Sequence, residues 1–268
     1  MSLILVIMHD RHTNRERYFN EQVFTTTNYV IPYLKGLMDI TAETTVAEIG
    51  CGEGGNLLPF LDLGCKTIGI DLAANKIENA KKFFKNHPNK QLTTFIAEDI
   101  YKVNPANYPQ FDLIIMRDTI EHIPNQEVFL ENLKQFLSPK GIVFFAFPPW
   151  RMPFGGHQQI CRSRYLSKLP YFHLLPNFLY VGMLKMFGEN QQTINSLLEI
   201  KDTGISINRF ERIVKNCNYK IDKKTYFMVN PNYEIKFKLK TRILPGIMNI
   251  PHFRDFFTTA MYCVISKN

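Results

Sequence analysis

Three carboxylates recur where predicted strands end: Glu48 in TVAEIG, Asp71 in KTIGID and Asp99 in LTTFIAED. Between the first two, EIGCGEGG sets Gly50, Gly52 and Gly55 in a Gly-x-Gly-x-x-Gly frame. Glycines there let the backbone turn sharply and approach a ligand closely. An acid after the second strand accepts hydrogen bonds from two ribose hydroxyls, so this frame alone suits any ribose-bearing cofactor, a dinucleotide included. Glu48 narrows the choice. Glu48, Gly50, Gly52 and Gly54 also spell Glu-x-Gly-x-Gly-x-Gly. A carboxylate at that turn repels a pyrophosphate and favours a ligand bearing an ammonium and a sulfonium. Asp99 stands where a carboxylate accepts a hydrogen bond from an adenine amino group.

A second set of reactive types follows the fourth apolar run. MRDTIEH brings Arg117, Asp118, Glu121 and His122 close in sequence, and PFGGHQQ carries His157 beside Gly155 and Gly156. Histidines and carboxylates are the usual acceptors of a hydroxyl proton. His157 is the first candidate base, on a loop the glycines leave free to approach the cofactor, and His122 the second. The plainer alternatives are a loop histidine held structurally, and a Glu121–His122 pair that opens the next helix.

These residues need a scaffold that gathers strand ends. From about residue 45 short apolar runs alternate with amphipathic segments: TVAEIG, KTIGID, LTTFIAED, FDLIIMRD and GIVFFAF read as strands. NKIENAKKFFKNH and VFLENLKQFLS read as helices with apolar residues on one face. Such alternation predicts a parallel sheet covered on both sides. After residue 148 the rhythm breaks into aromatic, proline-rich sequence, then returns as a helix capped by Ser206, a strand KIDKKTYFMV and a closing strand AMYCVISK. The predicted organisation is an N-terminal helical segment over 1–44 and a catalytic domain over 45–268, with caps inserted at about 150–200 and 230–258.

The order Glu48, Gly50, Gly52, Asp71, Asp99 over successive strand ends resembles the class I S-adenosylmethionine-dependent methyltransferase family. The resemblance spans roughly 45–147 and resumes at 205–228 and 260–266; the FDLI run at 111–114, the EHI at 121–123 and the LSPKG turn belong to it. It implies an α/β fold, a Rossmann-like doubly wound sheet of seven strands whose last strand is antiparallel. It implies S-adenosylmethionine as cofactor and S-adenosylhomocysteine as product. The cofactor-binding candidates are Glu48, Gly50, Cys51, Gly52, Gly54, Asp71, Leu72, Asp99, Ile100, Arg117 and Asp118. The catalytic candidates are His157 and His122, and no metal is expected. An N-terminal helix carrying Tyr18, Phe19 and Tyr29 is expected to close over the methionine end, or simply to pack on the sheet.

FPPW at 147–150 resembles the Pro-Pro motif of enzymes that methylate base amino groups. It follows the fifth strand rather than the fourth, and Phe147 replaces the polar residue that grips the amine. The prolines are therefore read as ending the strand, which proline cannot extend.

The acceptor is less constrained. The chain has 268 residues, a net charge of +8 and 45% apolar residues, so it builds a core and favours an anionic or phosphorylated partner without choosing one. YEIKFKLKTR at 233–242 alternates apolar and basic residues, predicting an edge strand or a basic strip for phosphate groups. No nucleic-acid-binding module accompanies it. The apolar stretch 165–188 contains prolines and lysines and reads as a cap core, a lid over a greasy acceptor, or a patch for peripheral membrane contact. Five scattered cysteines without Cys-x-x-Cys spacing fit a reduced, cytoplasmic setting. The apolar start LILVIM is too short to span a membrane. The reading is O-methylation of a small-molecule or saccharide acceptor. The alternatives are a lipid or quinone-like acceptor, an NAD-dependent oxidoreductase, and a non-catalytic cofactor-binding protein.

Overall fold

A computed structural model describes residues 14–268; LILVIM lies outside the described residues. The chain enters as helix α1 (Arg15–Thr25), capped by the Asn14 side chain, which accepts from the Arg17 N–H at 2.9 Å. It widens into a π turn over Thr26–Val30 and ends as α2 (Ile31–Leu34). Pro32 in α2 has no N–H to return to the preceding turn, which suits the wider winding.

Eight strands form one sheet: β1 (Thr45–Ile49), β2 (Lys66–Asp71), β3 (Thr93–Ala97), β4 (Phe111–Arg117), β5 (Leu137–Phe147), β6 (Tyr219–Val229), β7 (Arg242–Ile243) and β8 (Ala260–Lys267). Their order is β3-β2-β1-β4-β5-β8-β6-β7. β1 to β5 run parallel, and β8 pairs antiparallel with both β5 and β6. The alternation after residue 45 thus gives the expected sheet, with one strand more than the expected seven: the two-residue β7 on the edge of β6. Because β1 runs outward to β2 on one side and β4 on the other, the strand order reverses between them. Ligands of open α/β sheets bind at such a reversal, beyond the carboxyl ends of the strands.

Helices cover both faces. α3 (Leu58–Asp62), α4 (Ala74–Phe84) and α5 (Gln126–Leu133) connect the parallel strands. One core packs Ile114, Met116, Phe145 and Phe147 against Phe129, Leu130 and Phe210. The opposite core packs Val46, Leu113, Ile115 and Phe144 against Val30, Leu34, Phe60 and Phe84. Side chains alternate between the two faces along each strand, so a fully buried strand must be apolar throughout.

β5 stops at Phe147, and Pro148-Pro149 turn the chain away, as the sequence implies. Trp150 N–H then donates to the Ile205 carbonyl at 2.8 Å, tying the departing chain to the returning one. The inserted cap consists of short 3-10 turns, α6 (Asn177–Met186) and α7 (Gln191–Thr203). It has its own small core of Cys161, Leu166, Phe172, Tyr180, Leu184, Ile194 and Leu197. Lys201 stitches it by donating to the His173 carbonyl at 2.6 Å and the Leu175 carbonyl at 2.8 Å. The chain re-enters the sheet through α8 (Ile207–Asn216), whose Ser206 cap accepts from Arg209 N–H at 3.2 Å.

Of the edge strand expected over 233–242, only Arg242 joins one, in β7. Residues Asn232–Phe237 wind instead into α9. Asn230 caps its entry by accepting from Asn232 N–H, the Tyr233 and Phe237 rings meet at 5.1 Å, and Lys238 ends it in the left-handed region at φ 58°. Leu239 N–H closing onto the Tyr233 carbonyl completes the helix stop. A short alternating run is compatible with either state, and these caps select the helix. The lysines of this segment therefore do not line up as one strip.

No helix among the described residues is long and apolar enough to cross a membrane. All five cysteines are free and buried.

Candidate active site

The glycine turn leaves β1 and folds back on β2. Gly50 and Cys51 both donate their N–H groups to the Ile70 carbonyl, at 2.8 and 3.1 Å. Gly50 has φ 74° and a Cβ there would collide with Thr119, so only glycine fits. Gly52, φ 55°, differs: its missing Cβ would point at open space, with only Lys76 Cδ near, at 4.0 Å. This side of the turn is where a ligand can approach. Gly54 and Gly55 serve packing, against Phe95 and against α1. The Cys51 thiol is fully buried and burial holds its pKa well above the usual value, so it contributes bulk and not a nucleophile.

Asp71, the last residue of β2, fixes the rim. Its carboxylate accepts from Gly52 N–H and from Ala73 N–H, both at 2.8 Å. Next to it Leu72 is 74% exposed, a large apolar side chain left beside a crevice. Asp99 lies beyond β3, half-buried, accepting from Tyr101 N–H at 3.0 Å. Ile100 follows, half-buried against the core.

Glu48 is fully buried. One oxygen accepts from Asn56 Nδ2 at 2.5 Å and the other has no partner among the described residues. Burial pushes its pKa up to about 8, against the lowering effects of Asn56 and Arg117. Asn56 is shared: its oxygen accepts from the Arg117 guanidinium, which also donates to Thr26 Oγ1 at 3.3 Å. Glu48, Asn56, Arg117 and Thr26 thus link the ends of β1 and β4 to the π turn. Asn56 and Thr26 were not singled out from sequence; Asn56 directly after the glycine frame is the signal that marks it.

The N-terminal helix divides its roles. Phe19 stacks on Phe83 with centroids 4.5 Å apart, which is packing. Tyr29 bonds the Glu234 carboxylate and joins the π turn to α9. Tyr18 is half-buried: burial and then the charge of Asp118 hold its hydroxyl un-ionised. Tyr233 from α9 and Tyr262 from β8 feel the same aspartate, and burial first raises both to about 12. The charge of Asp118 thus reaches three neutral phenols, all from segments far away in sequence.

Beyond β4, Asp118 takes φ 50° and donates its N–H to the Ala146 carbonyl at 2.8 Å, leaving its side chain exposed. Glu121 and His122 follow on a 3-10 turn, Ile120–His122. Glu121 is 4% exposed, neither carboxylate oxygen has a side-chain partner among the described residues, and burial followed by the Asp118 charge raises its pKa well above normal against the lowering effect of its own backbone N–H. The ring of His157 lies 4.9 Å from that of His122, edge to face. Burial lowers His157 to about 3, and lowers His122, which keeps solvent contact at the crevice mouth though protein crowds it on most sides.

One expectation about this loop is corrected. Gly155 and Gly156 do not lend it freedom. A Cβ on Gly155 would meet the Trp150 carbonyl at 2.3 Å and one on Gly156 would meet His173 Cβ at 2.3 Å. They allow close packing, and the loop is fixed: His157 sits in the left-handed region at φ 53°, and His173 Nε2 lies 2.8 Å from the Trp150 carbonyl.

A doubly wound sheet with an antiparallel β8 between β5 and β6, a glycine turn after β1 and acids at the ends of β1, β2 and beyond β3 defines the Rossmann-like methyltransferase class. The chain belongs to the methyltransferase family whose model, described as a methyltransferase domain, matches residues 17–171, more than half of its length. It is 29% identical to a ubiquinone biosynthesis O-methyltransferase of Bartonella tribocorum over 170 residues, 61% of this chain and 64% of that one. It is 27% identical to a sterol 4-C-methyltransferase of Caenorhabditis elegans over 104 residues, 39% of this chain and 31% of that one. The match thus spans less than two thirds of these relatives. The fold is also that of the plantazolicin methyltransferase BpumL, solved with S-adenosylhomocysteine: TM-score 0.53, 14% identity, covering 97% of this chain and 87% of that one.

The cofactor of the class, S-adenosylmethionine, suits the residues present. The unpartnered Glu48 oxygen offers a site for an ammonium, the Asp71 carboxylate stands at the rim for ribose hydroxyls, and the open side of Gly52 and exposed Leu72 leave an apolar approach. The methyltransferase-domain match over residues 17–171 favours this cofactor over a dinucleotide.

Proposed function

We propose that the protein methylates a hydroxyl oxygen of a small, ring-bearing acceptor of quinol or catechol type, with S-adenosylmethionine as donor. The observation that carries this is the His122–His157 ring pair, 4.9 Å apart beyond the end of β4, next to the exposed Asp118. S-adenosylmethionine supplies an electrophilic methyl on a sulfonium whose departure as a thioether needs no acid. The protein's work is therefore alignment and exclusion of water. Glu48 and Asn56 hold the amino end, Asp71 the ribose, and Leu72, Asp99 and Ile100 the adenine. Gly50, Cys51, Gly52 and Gly54 shape the turn, and the backbone of Arg117 and Asp118 borders the methyl.

An aromatic acceptor suits the half-buried phenol rings of Tyr18 and Tyr233. His122 and His157 border the corner where the acceptor hydroxyl must lose its proton. The saccharide reading is weaker than the sequence suggested. Part of its support was a late basic strand over 233–242, whose first half folds instead as α9. Relatedness to a ubiquinone biosynthesis O-methyltransferase supports the quinol side. The cap adds an exposed apolar face on α6, with Phe178, Leu179 and Met186 outward beside Lys185, which suits delivery of an apolar acceptor from a membrane surface.

The test is incubation of purified protein with methyl-labelled S-adenosylmethionine and three acceptor panels: prenylated and simple quinols, catechols, and free or nucleotide-linked sugars. Label on a quinol or catechol oxygen supports the proposal. Label only on sugars, or on carbon or nitrogen, overturns it.

A further inference from the structure

We propose that Glu121, His122 and His157 form a binding site for one divalent first-row transition cation of the zinc type. Their ligand atoms, one from each side chain, all lie within 4.8 Å of one another. No sequence spacing announces the set, because His157 comes from the cap and the other two from the turn after β4.

The independent observation is Glu121. It is 4% exposed, and among the described residues no side chain pairs with either of its oxygens; only its own backbone N–H lies near. A buried carboxylate without donors is costly, and such groups in native proteins are normally paired or bound to metal. Its turn is held from outside: the Glu121 carbonyl accepts from Thr203 Oγ1 at 2.6 Å, and Gln126 Nε2 bridges the carbonyls of Ile120 and Thr203 at 3.3 and 2.6 Å. The carboxylate is thus aimed by the end of α7 and not by a partner of its own.

The donor set decides the ion. Two imidazoles and one carboxylate suit zinc, manganese, cobalt or iron better than magnesium or calcium, which prefer all-oxygen shells. Three protein ligands leave a position open, as in catalytic zinc sites. Bonds of about 2.0–2.2 Å require the ligand atoms to draw in by roughly 1 Å. The charge of Asp118 reaches both Glu121 and His122 and favours a cation; that of Lys76 reaches His122 and opposes it. The site also ties the cap to the sheet.

The consequence for catalysis rests on the proposed methyl transfer. An acceptor hydroxyl in the open position becomes more acidic. Its proton passes to water, the oxygen keeps the electron pair and attacks the methyl, and the carbon–sulfur pair stays with sulfur. The histidines then act as ligands and the cation lowers the hydroxyl pKa in place of a base.

Untagged protein, dialysed against a chelator, is titrated with Co2+ and followed by visible absorption. One Co2+ per chain with d–d bands of a four- or five-coordinate ion, displaced by Zn2+, is expected. Glu121→Gln and His157→Ala should each weaken binding by more than about tenfold while retaining S-adenosylhomocysteine affinity. X-ray absorption at the metal edge of the wild-type complex reads the ligands directly. Two imidazole nitrogens support the site; absence of stoichiometric Co2+ binding, or a metal without imidazole, overturns it. Co2+ binding without S-adenosylhomocysteine binding would sink the methyl-transfer reading and leave the cation site standing; the converse would remove the site alone.

Discussion

Asp71 closes the glycine turn onto β2: its two carboxylate oxygens accept the N–H groups of Gly52 and of Ala73, each at 2.8 Å. One side chain therefore fixes the turn and lies on the rim proposed for the ribose.

Asp71→Ala removes both roles. S-adenosylhomocysteine affinity should fall by ~10- to 100-fold, the value of one or two charge-assisted hydrogen bonds. Isothermal titration measures it, and unchanged affinity contradicts the cofactor placement.

Glu48 gives a pH signature. Its folded pKa of about 8 lies above the unfolded value of 4.5. Below the unfolded value both states keep the proton. As pH rises towards about 8 the unfolded carboxyl ionises and the folded one does not, so this residue's contribution to stability is lost with rising pH. Glu48→Gln cannot ionise. Thermal melts of the ligand-free protein should show the variant gaining on wild type between about pH 5 and about pH 8, then levelling.

His157→Ala should lower turnover by ~100-fold or more while leaving S-adenosylhomocysteine affinity unchanged. Turnover at the wild-type rate removes His157 from the reaction, as base or as ligand.

The two kinds of glycine in the cap should respond oppositely to an added methyl. Gly156→Ala drives a Cβ to 2.3 Å from His173 Cβ and should cost ~2 kcal/mol or more, seen as a lower Tm. Gly182→Ala, in α6 with nothing within 4 Å, should stabilise by ~0.5–1 kcal/mol.

Lys201→Met deletes two hydrogen bonds to carbonyls that stitch the cap. Hydrogen exchange over residues 161–187 should speed up well before that of the sheet, whose strands do not depend on it.

The sequence by itself determined the order of elements and the placement of acids at the strand ends. Apolar runs, helical spacing, the Ser206 cap and the strand-ending prolines are local signals, and each formed the element it implied. Glu48, Gly52, Asp71 and Asp99 lie at strand ends because a parallel sheet gathers every such end on one edge. Even the local reading failed where two states fit one pattern: 233–242 alternates like a strand, yet capping and a left-handed Lys238 make α9. Only tertiary structure decided the rest. Asn56 meets Arg117, Tyr29 meets Glu234, and His157 meets His122 and Glu121 because separate insertions converge over the sheet. Such contacts leave no period in the chain: they depend on how loops close in space, and burial, which turns Glu48 and Glu121 from ordinary acids into perturbed ones, exists only once the fold has closed.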